Sequence, residues 1–350
     1  MTDRYDVAEL TAAVVALFRA AGMAEAPAQA VAEILIDADL LGYDTHGLQF
    51  VPGYLAALES GAMRRDGEPE IVADHGASVV LDADRLPGQW AMLRALELAQ
   101  ARLQDHPIAA IAVRRSANIS CLATYVKRAA DAGHVALLFA SGPSNKGVAP
   151  HGGRAGALST NPLAFAIPAH PHPILADTST SATSNRAVER AQRQGQRLPG
   201  PYLVGGDGQL TDDPAALAPG DKQRPPGAIL PAGGVEQGYK GFALSLLVEA
   251  LASGLGGPAR TEGKPGGNHD FLLLIDPARF AGTDTLVAEM TALADSLRAT
   301  PPRNPAHPVR LPGDRAYARY AEQMAKGVRL HPEVVERLWP CFRKYGTKNL

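Results

Sequence analysis

The chain is organised around Asp39-Leu40-Leu41-Gly42-Tyr43-Asp44-Thr45-His46-Gly47. A helix leads into this stretch, because apolar residues recur at i, i+3, i+4 and i+7 from position 31 to position 41 and share one face. The polar, glycine-flanked turn then delivers Thr45 and His46 to a fixed place. An imidazole held beside a hydroxyl and a carboxylate can exchange a proton near neutral pH. A histidine in a turn is also commonly a capping or surface residue. Motifs elsewhere in the chain are therefore needed to choose between a catalytic and a structural role for His46.

Composition describes an ordinary globular protein of 350 residues, with 46% hydrophobic and 20% charged residues. The formal net charge is -2 and no basic stripe appears, so we expect no nucleic-acid partner. Two cysteines, Cys121 and Cys341, exclude a disulfide framework and fit a reducing compartment. No signal peptide is recognisable, and the apolar runs fall short of the ~20 residues of a membrane span. We therefore predict a cytoplasmic protein with no membrane segment.

The order of apolar segments predicts an α/β protein with a helical part and a sheet-containing part. Residues 1–70 are predicted to form an N-terminal helical part that is completed by C-terminal helices in residues 281–350. Residues 71–280 are predicted to form a sheet domain, in which residues 183–235 are an irregular excursion with little core of its own. The predicted strands are residues 71–72, 78–81, 108–113, 135–140, 163–167, 174–175 and 271–275.

A Rossmann-type phosphate loop is not supported by the sequence. The only glycine fingerprint of that kind, Gly254-Leu255-Gly256-Gly257-Pro258-Ala259, follows a predicted helix and leads into a loop rich in glycine and proline. The motif requires a strand before it and a helix after it. We therefore interpret these glycines as the end of a helix.

Three turns rich in serine and threonine flank predicted strands. They are Ser141-Gly142-Pro143-Ser144, Ser159-Thr160-Asn161-Pro162 and Asp177-Thr178-Ser179-Thr180-Ser181. Such turns can converge on one ligand that carries phosphates and riboses. They can equally be ordinary Asx and Ser/Thr turns. The residues alone leave both interpretations open.

Lys240 lies between glycines in Gly238-Tyr239-Lys240-Gly241, at a predicted helix start. The helix dipole disfavours a cation at that end, so Lys240 is a candidate for facing an anion, with plain surface exposure as the alternative. No metal centre is predicted, because the two histidines of the His170-Pro171-His172 stretch have no third ligand in view.

These pieces, in this order, resemble the malate/L-lactate dehydrogenase family of the second type over residues 8–345. Relatives of that family include ureidoglycolate and sulfolactate dehydrogenases and piperideine-2-carboxylate reductase. The matching stretches, each beside the family pattern, are Asp44-Thr45-His46-Gly47 (Asp-Ser-His-Gly), Ala149-Pro150-His151-Gly152-Gly153 (Ala-Pro-Trp-Gly-Gly), Ser159-Thr160-Asn161-Pro162-Leu163-Ala164-Phe165 (Gly-Thr-Asn-Pro-Leu-Ala-Phe), Asp177-Thr178-Ser179-Thr180-Ser181 (Asp-Met-Ala-Thr-Ser), Gly238-Tyr239-Lys240-Gly241-Phe242 (Gly-Tyr-Lys-Gly-Tyr) and Leu311-Pro312-Gly313-Asp314-Arg315 (Leu-Pro-Gly-Glu-Arg).

The resemblance implies a non-Rossmann NAD(P)-binding fold, a homodimer, and hydride transfer between nicotinamide and a small 2-oxo or 2-hydroxy acid. His46 would be the acid/base group, and Thr45 would take the place of the serine that orients it. Phe50 and Thr160 would lie at the substrate. Whether the cofactor is NAD or NADP is left open by the sequence. The cofactor-binding positions implied are Asn118, Ile119, Ser120, Ser141, Asp177, Thr178, Ser179 and Lys240.

Two departures from the family pattern fall on the substrate pocket. Asn118 stands at a catalytic position, where the family has a second histidine that is implicated in catalysis or cofactor contact. Asparagine can donate a hydrogen bond there but cannot deliver a proton. Phe50 stands where the family has an arginine that grips the substrate carboxylate. An acidic partner of His46 cannot be placed from the sequence. We therefore expect a reductase or dehydrogenase with an altered pocket, acting on a 2-oxo acid or a related cyclic imine. The alternative is a dinucleotide-binding homologue that has lost turnover and serves as a partner or sensor.

Overall fold

A computed structural model describes residues 4–218, 225–261 and 266–347 of the chain. Its α-helices are α1 (Val7–Ala20), α2 (Glu25–Leu41), α3 (Val51–Glu59), α4 (Gly88–Arg102), α5 (Ala123–Asp131), α6 (Asn185–Arg193), α7 (Gly234–Val248), α8 (Thr283–Arg298), α9 (Asp314–Lys326) and α10 (Pro332–Lys344). Its strands are β1 (Arg4–Tyr5), β2 (Glu70–Asp74), β3 (Ser78–Asp82), β4 (Ile108–Ser116), β5 (Val135–Ser141), β6 (Leu163–Ile167), β7 (Ile174–Thr178), β8 (Leu203–Val204), β9 (Leu210–Thr211), β10 (Ala228–Ile229), β11 (Asn268–Ile275) and β12 (Val328–Arg329).

The chain divides into two compact units. The first unit comprises Met1–Leu138, Ala164–Asp177 and Leu272–Leu350, and the second comprises Phe139–Leu163 and Thr178–Phe271. The first unit thus holds the N-terminal and C-terminal helices that the sequence grouped together. It also holds residues 71–138, which the sequence-based division assigned to the sheet domain, because α4 and α5 pack against α2.

A helical core in the first unit fixes the end of α2. The buried side chains that form it come from α1, α2, α3 and α10, and include Val14, Phe18, Val31, Leu35, Leu55, Leu58, Leu338 and Phe342. Asp6 caps α1 by accepting hydrogen bonds from the amides of Ala8 and Glu9. The helix α2 ends at Gly42, whose φ of 83° is a left-handed conformation that glycine adopts without strain. The core therefore holds α2 rigidly up to the turn that carries His46.

A seven-stranded sheet, carried largely by the first unit, has the order β2-β3-β4-β11-β5-β6-β7. The strands β2 and β3 are antiparallel, whereas β3 and β4 are parallel, with Val79 opposite Ile111. The parallel pair is joined through α4, which packs on β4. Every strand predicted for this sheet is present, and the ends differ by a few residues.

The excursion at residues 183–235 has more structure than the sequence predicted. It contains α6 and a three-stranded sheet of order β10-β8-β9. Val188, Leu198, Leu203 and Ile229 from this segment form a buried cluster with Val148. The prediction of little core was wrong because these apolar residues are sparse along the chain and meet only in three dimensions. Residues 219–224 of the excursion lie outside the described part of the chain.

The helix that carries Lys240 also differs from the prediction. It begins at Gly234 rather than at residue 238, so Lys240 lies in its second turn and not at its start. The helix then continues as a π-helical stretch, Glu249–Gly254. The glycine fingerprint at residues 254–259 therefore follows a helix, as predicted, and not a strand. Within the described residues, no helix is long and apolar enough to span a membrane.

Truncating Leu35 tests the helical core. Leu35 is fully buried, so Leu35→Ala is expected to lower the free energy of unfolding by about 2–5 kcal/mol through lost apolar contact and the cavity left behind. Met324→Ala is the control, because Met324 in α9 is 49% exposed and its truncation is expected to cost much less. Urea unfolding followed by circular dichroism measures both. Equal losses would contradict the placement of Leu35 in the core.

Candidate active site

His46 lies in the turn between α2 and a short 3-10 helix, Leu48–Phe50. The Nδ1 atom of His46 is 2.9 Å from the hydroxyl oxygen of Thr45. The ring of Phe50 lies 5.9 Å from the imidazole, centroid to centroid, and stacks in turn on Tyr54 at 5.6 Å. The imidazole is half-buried, with a hydroxyl on one nitrogen and an aromatic ring beside it. It is therefore oriented and still accessible.

A buried carboxyl beneath the turn holds it in shape. The amide of Leu48 donates a 2.8 Å hydrogen bond to Oδ2 of Asp39. A Cβ atom on Gly47 would lie 2.2 Å from Oδ1 of Asp39, so only glycine permits this approach. Gln323 donates from Nε2 to the carbonyls of Asp39 at 2.8 Å and Leu40 at 2.9 Å, which fixes the last turn of α2.

The pKa of Asp39 is strongly shifted. Burial raises it most, the hydrogen bond from Leu48 opposes the rise, and the negative charge of Asp44 adds to it, so that the pKa is about 8. At neutral pH the Asp39 side chain is therefore mostly a neutral carboxylic acid. The sequence analysis did not single out Asp39 as a titrating group, since its burial depends on the packing of α9 against α2.

Asp177 is the acidic group that interacts with His46. Its Oδ2 accepts a 2.9 Å hydrogen bond from the amide of Ala123 and a 3.4 Å hydrogen bond from the thiol of Cys121. Desolvation raises the pKa of Asp177, whereas these hydrogen bonds and the positive charge of a protonated His46 lower it. From the sequence, Asp177 is assigned to cofactor binding and His46 has no identifiable acidic partner. The sequence contains no local pattern that indicates this interaction, because residues 46 and 177 are brought together only by folding.

The neighbours of Asp177 remain protonated. Burial and the charge of Asp177 raise the pKa of the Cys121 thiol and of the Tyr43 phenol. A protonated, fully buried thiol is a poor nucleophile. Thiolate chemistry is therefore disfavoured at Cys121, and His46 is left as the group that can exchange a proton near neutral pH.

The loop at residues 117–120 is tied to the same turn. Oδ1 of Asn118 accepts a 2.9 Å hydrogen bond from the Tyr54 hydroxyl and another of 2.9 Å from the amide of Ser120. The Tyr54 hydroxyl itself accepts a 2.9 Å hydrogen bond from Nε2 of Gln89. Ser120 has a φ of 67°, and its hydroxyl donates to the carbonyl of His46. The carbonyl oxygen of the Asn118 amide is thus engaged within the protein.

The other candidate cofactor and substrate positions are distributed over both units. Ile119, in the first unit, is buried. In the second unit Ser141 is buried and its hydroxyl has no hydrogen-bond partner among the described residues. The carbonyl of Thr160 accepts from the amide of Thr180 at 3.1 Å. Thr178 is exposed, Ser179 donates from its hydroxyl to the carbonyl of Ser181 at 3.2 Å, and the exposed Lys240 has its ammonium 5.7 Å from the ring centroid of Tyr239. The candidate positions that the first unit brings together are Thr45, His46, Phe50, Asn118, Ile119, Ser120 and Asp177.

Replacing Asp39 tests the buried carboxyl through the pH dependence of stability. Because the pKa of Asp39 is about 8 in the folded chain and about 4 in the unfolded chain, the unfolded state releases the proton first. The contribution of Asp39 to stability is therefore complete below about pH 4 and is lost progressively as the pH rises to about 8, a change of a few kcal/mol.

Asp39→Asn keeps the acceptor for Leu48 and removes this titration, so the variant is expected to gain stability relative to the wild type as the pH rises. Urea unfolding at several pH values measures the difference. Asp207→Asn, in an exposed turn, is the control, and its free energy of unfolding should change with pH as that of the wild type does. If the free energy of unfolding of Asp39→Asn followed the same pH dependence as the wild type, Asp39 could not be a buried, neutral carboxyl.

Known proteins similar to this chain are dehydrogenases and reductases of one family. A profile of the malate/L-lactate dehydrogenase family matches residues 5–339. An L-lactate dehydrogenase of Cupriavidus necator is 33% identical over 316 residues, covering 88% of each chain. A Delta(1)-pyrroline-2-carboxylate/Delta(1)-piperideine-2-carboxylate reductase of Pseudomonas syringae pv. tomato is 34% identical over 339 residues, covering 92% of this chain and 91% of the other.

The fold is shared with solved structures of the same kind. The crystal structure of delta1-piperideine-2-carboxylate reductase from Pseudomonas syringae superposes with a TM-score of 0.83 at 30% identity, covering 97% of this chain and all of the other. A dehydrogenase from Sinorhizobium meliloti superposes with a TM-score of 0.82 at 30% identity, covering 97% of this chain and 98% of the other. The chain therefore belongs to the malate/L-lactate dehydrogenase family, whose members are nicotinamide-dependent dehydrogenases and reductases.

Proposed function

We propose that the chain transfers hydride between NAD or NADP and a 2-oxo or 2-hydroxy acid or a related cyclic imine, with His46 as the proton donor and acceptor. The observation that carries this proposal is the arrangement of His46, whose Nδ1 lies beside the Thr45 hydroxyl and whose charge interacts with Asp177. An imidazole that is oriented by a hydroxyl and interacts with a carboxylate is a standard proton-transfer arrangement. The bound nicotinamide would supply or accept the hydride.

Each residue around His46 has a separate role in the proposed proton transfer. The hydroxyl of Thr45 lies against Nδ1 and orients the ring for proton exchange with the substrate oxygen or nitrogen. The charge of Asp177 favours the imidazolium that forms when His46 takes up a proton during oxidation of a hydroxy acid. Ser120 anchors the histidine backbone through its carbonyl. These contacts hold the imidazole in one orientation.

Two observations in the second unit support a dinucleotide ligand. The buried hydroxyl of Ser141 has no partner among the described residues, so a polar ligand group would satisfy it. Lys240 is exposed and has no carboxylate partner within the described part of the chain, so it is available to a phosphate. The strand order β2-β3-β4-β11-β5-β6-β7 supports a binding fold other than the Rossmann fold.

The substrate pocket is proposed to be more apolar than is usual in the family. Phe50 stacks on Tyr54 beside His46, at the position where the resemblance implies an arginine. An aromatic ring cannot grip a carboxylate, but it suits an apolar or aromatic part of a substrate. Asn118 donates no proton, so His46 would be the sole acid. An imine carbon is already electrophilic when protonated, which makes a cyclic imine a fitting substrate for such a site.

A homodimer is proposed from the exposed apolar residues of α7 and the stretch that follows it. Large apolar side chains that are about half exposed recur there: Val235, Tyr239, Leu244, Leu246, Leu247 and Leu255. A surface of this kind commonly marks a protein–protein interface, and a second copy of the chain would cover it. Cys121 and Cys341 are both free thiols, which fits the proposed cytoplasmic location.

Replacing His46 tests the proposed proton transfer. His46→Gln keeps a polar side chain but cannot carry the proton, so kcat/KM is expected to fall by about 10²–10⁴. Thr45→Ser should retain most activity and Thr45→Val should lose it, since only serine keeps the hydroxyl. His75→Gln is the control, because His75 is exposed in the hairpin between β2 and β3. Initial rates are measured with NADH and NADPH on a panel of 2-oxo acids and cyclic imines.

The same panel separates the proposal from its alternative. Cofactor binding by fluorescence titration without turnover on any substrate would favour a dinucleotide-binding protein that acts as a partner or sensor. Turnover that survives His46→Gln would contradict the role of the histidine. Absence of cofactor binding would contradict both functions.

Replacing Phe50 tests the proposed pocket. Phe50→Arg introduces a guanidinium beside His46, and it is expected to lower KM for small 2-oxo acids and to raise KM for substrates with an apolar ring. Phe50→Leu is the control, because it removes the aromatic stacking without adding a charge. Steady-state kinetics on both substrate classes give the result. Identical changes in the two variants would contradict a role for residue 50 in substrate choice.

A further inference from the structure

We propose that a cavity beside the His46 turn, within the first unit, binds a small oxyanion of the phosphate or polycarboxylate type. The cavity has a volume of about 270 Å³, and the residues that carry the argument are Arg4, Asp39, Arg319, Gln323, Arg329 and His331. It lies against the end of α2, the middle of α9 and the start of α10. The proposed ligand is neither the nicotinamide cofactor nor the oxidised or reduced substrate.

Positive charge is concentrated at this cavity. Arg329 has no carboxylate partner among the described residues, and Arg319 donates to the carbonyl of Gly42 at 3.3 Å. Arg4 pairs with Glu322 at 2.8 Å. Three guanidinium groups thus line one small cavity. Arginine presents paired donors that match the oxygen atoms of phosphate and carboxylate, so an oxyanion would supply a counter-charge for Arg319 and Arg329, which Glu322 does not pair.

A helix start adds to the positive potential. The helix α10 has 13 residues and begins at Pro332, which lines the cavity together with His331. The N-terminal end of a helix carries a partial positive charge and favours anions. His331 is the N-cap, and its Nδ1 accepts from the amide of Glu333 at 3.3 Å. Its other ring nitrogen is therefore free to act as a donor toward a ligand.

The floor of the cavity is built from two buried polar side chains. Gln323 is 4% exposed, and its Oε1 accepts a 2.8 Å hydrogen bond from the amide of Arg329, which fixes the backbone of that arginine. Asp39 is 5% exposed, and its Oδ1 accepts no hydrogen bond from the described residues. Because its pKa is raised to about 8, Asp39 is mostly a neutral acid at pH 7 and can donate to an anion.

The other charged groups at the cavity set the sign of the pH dependence. Asp44 faces the cavity from the turn, Glu322 from α9, and the arginines and His331 from the segments already described. Ionisation of Asp39 above about pH 8 adds a third carboxylate at the cavity, beside those of Asp44 and Glu322. Affinity for an oxyanion of constant charge is therefore expected to fall as the pH rises through about 8.

Titration calorimetry on the full chain tests the site with inorganic phosphate and with citrate as separate probes. Arg329→Gln is expected to weaken binding about tenfold, because a charge-assisted contact is lost. Arg337→Gln is the matched control, since Arg337 is exposed in α10 and does not line the cavity. Binding of one probe only would identify the source of the oxyanion. No binding of either probe at millimolar concentration, or equal binding by the Arg329 variant, would overturn the proposal.

The second arm tests the floor with sulfate, whose charge does not change over the range used. Sulfate affinity is expected to drop severalfold from about pH 7 to about pH 9 in the wild type. In Asp39→Asn the drop should be smaller, because this variant keeps a neutral donor and shares every other titrating group of the cavity. Equal pH dependence in the two proteins would contradict the assignment of Asp39 to the site. Both experiments measure binding of an oxyanion and not turnover, so their results are independent of whether the proposed enzymatic function is correct.

Discussion

The contact between the buried Asp39 carboxyl and the backbone of Gly47 and Leu48 is the constraint on which the site depends. The carboxyl oxygen accepts from the amide of Leu48, and it approaches Gly47 so closely that no side chain fits there. A neutral acid at this place satisfies the first amide of a short helix without burying a charge. As a consequence, the stability of the turn that carries His46 depends on pH through the ionisation of Asp39. The helical core behind α2 makes the arrangement rigid.

The chemistry of His46 follows from this rigid turn and from the charge of a carboxylate that is distant in sequence. Thr45 orients the ring from the neighbouring position, whereas Asp177 acts from the end of β7, far along the chain. The carboxylate is itself fixed by the start of α5 through Ala123 and Cys121. The end of α2, the end of β7 and the start of α5 therefore together determine the electrostatic surroundings of one imidazole. Sites built on the ends of regular elements hold their geometry better than sites built on free loops.

Much of this could be read from the sequence, and the exceptions have physical reasons. The helix leading to His46 was predicted because its apolar period is local, and the strands of the seven-stranded sheet were predicted for the same reason. The core around Val188 and Leu203 was missed because its members are sparse along the chain and pack only in three dimensions. Lys240 was placed at a helix start because Gly234, which begins α7, gives no strong local signal. The interactions of Asp39 and Asp177 depend on packing between distant segments, which no single-sequence pattern encodes.

A double-mutant cycle on His46 and Asp177 tests the central claim most directly. If Asp177 acts on the reaction through the charge of His46, then Asp177→Asn lowers kcat/KM in the wild type but has little further effect once His46 is glutamine. The account predicts this strong non-additivity, measured on whichever substrate the enzyme turns over. Additive losses in the double variant would contradict it, because they would mean that the carboxylate and the imidazole act independently.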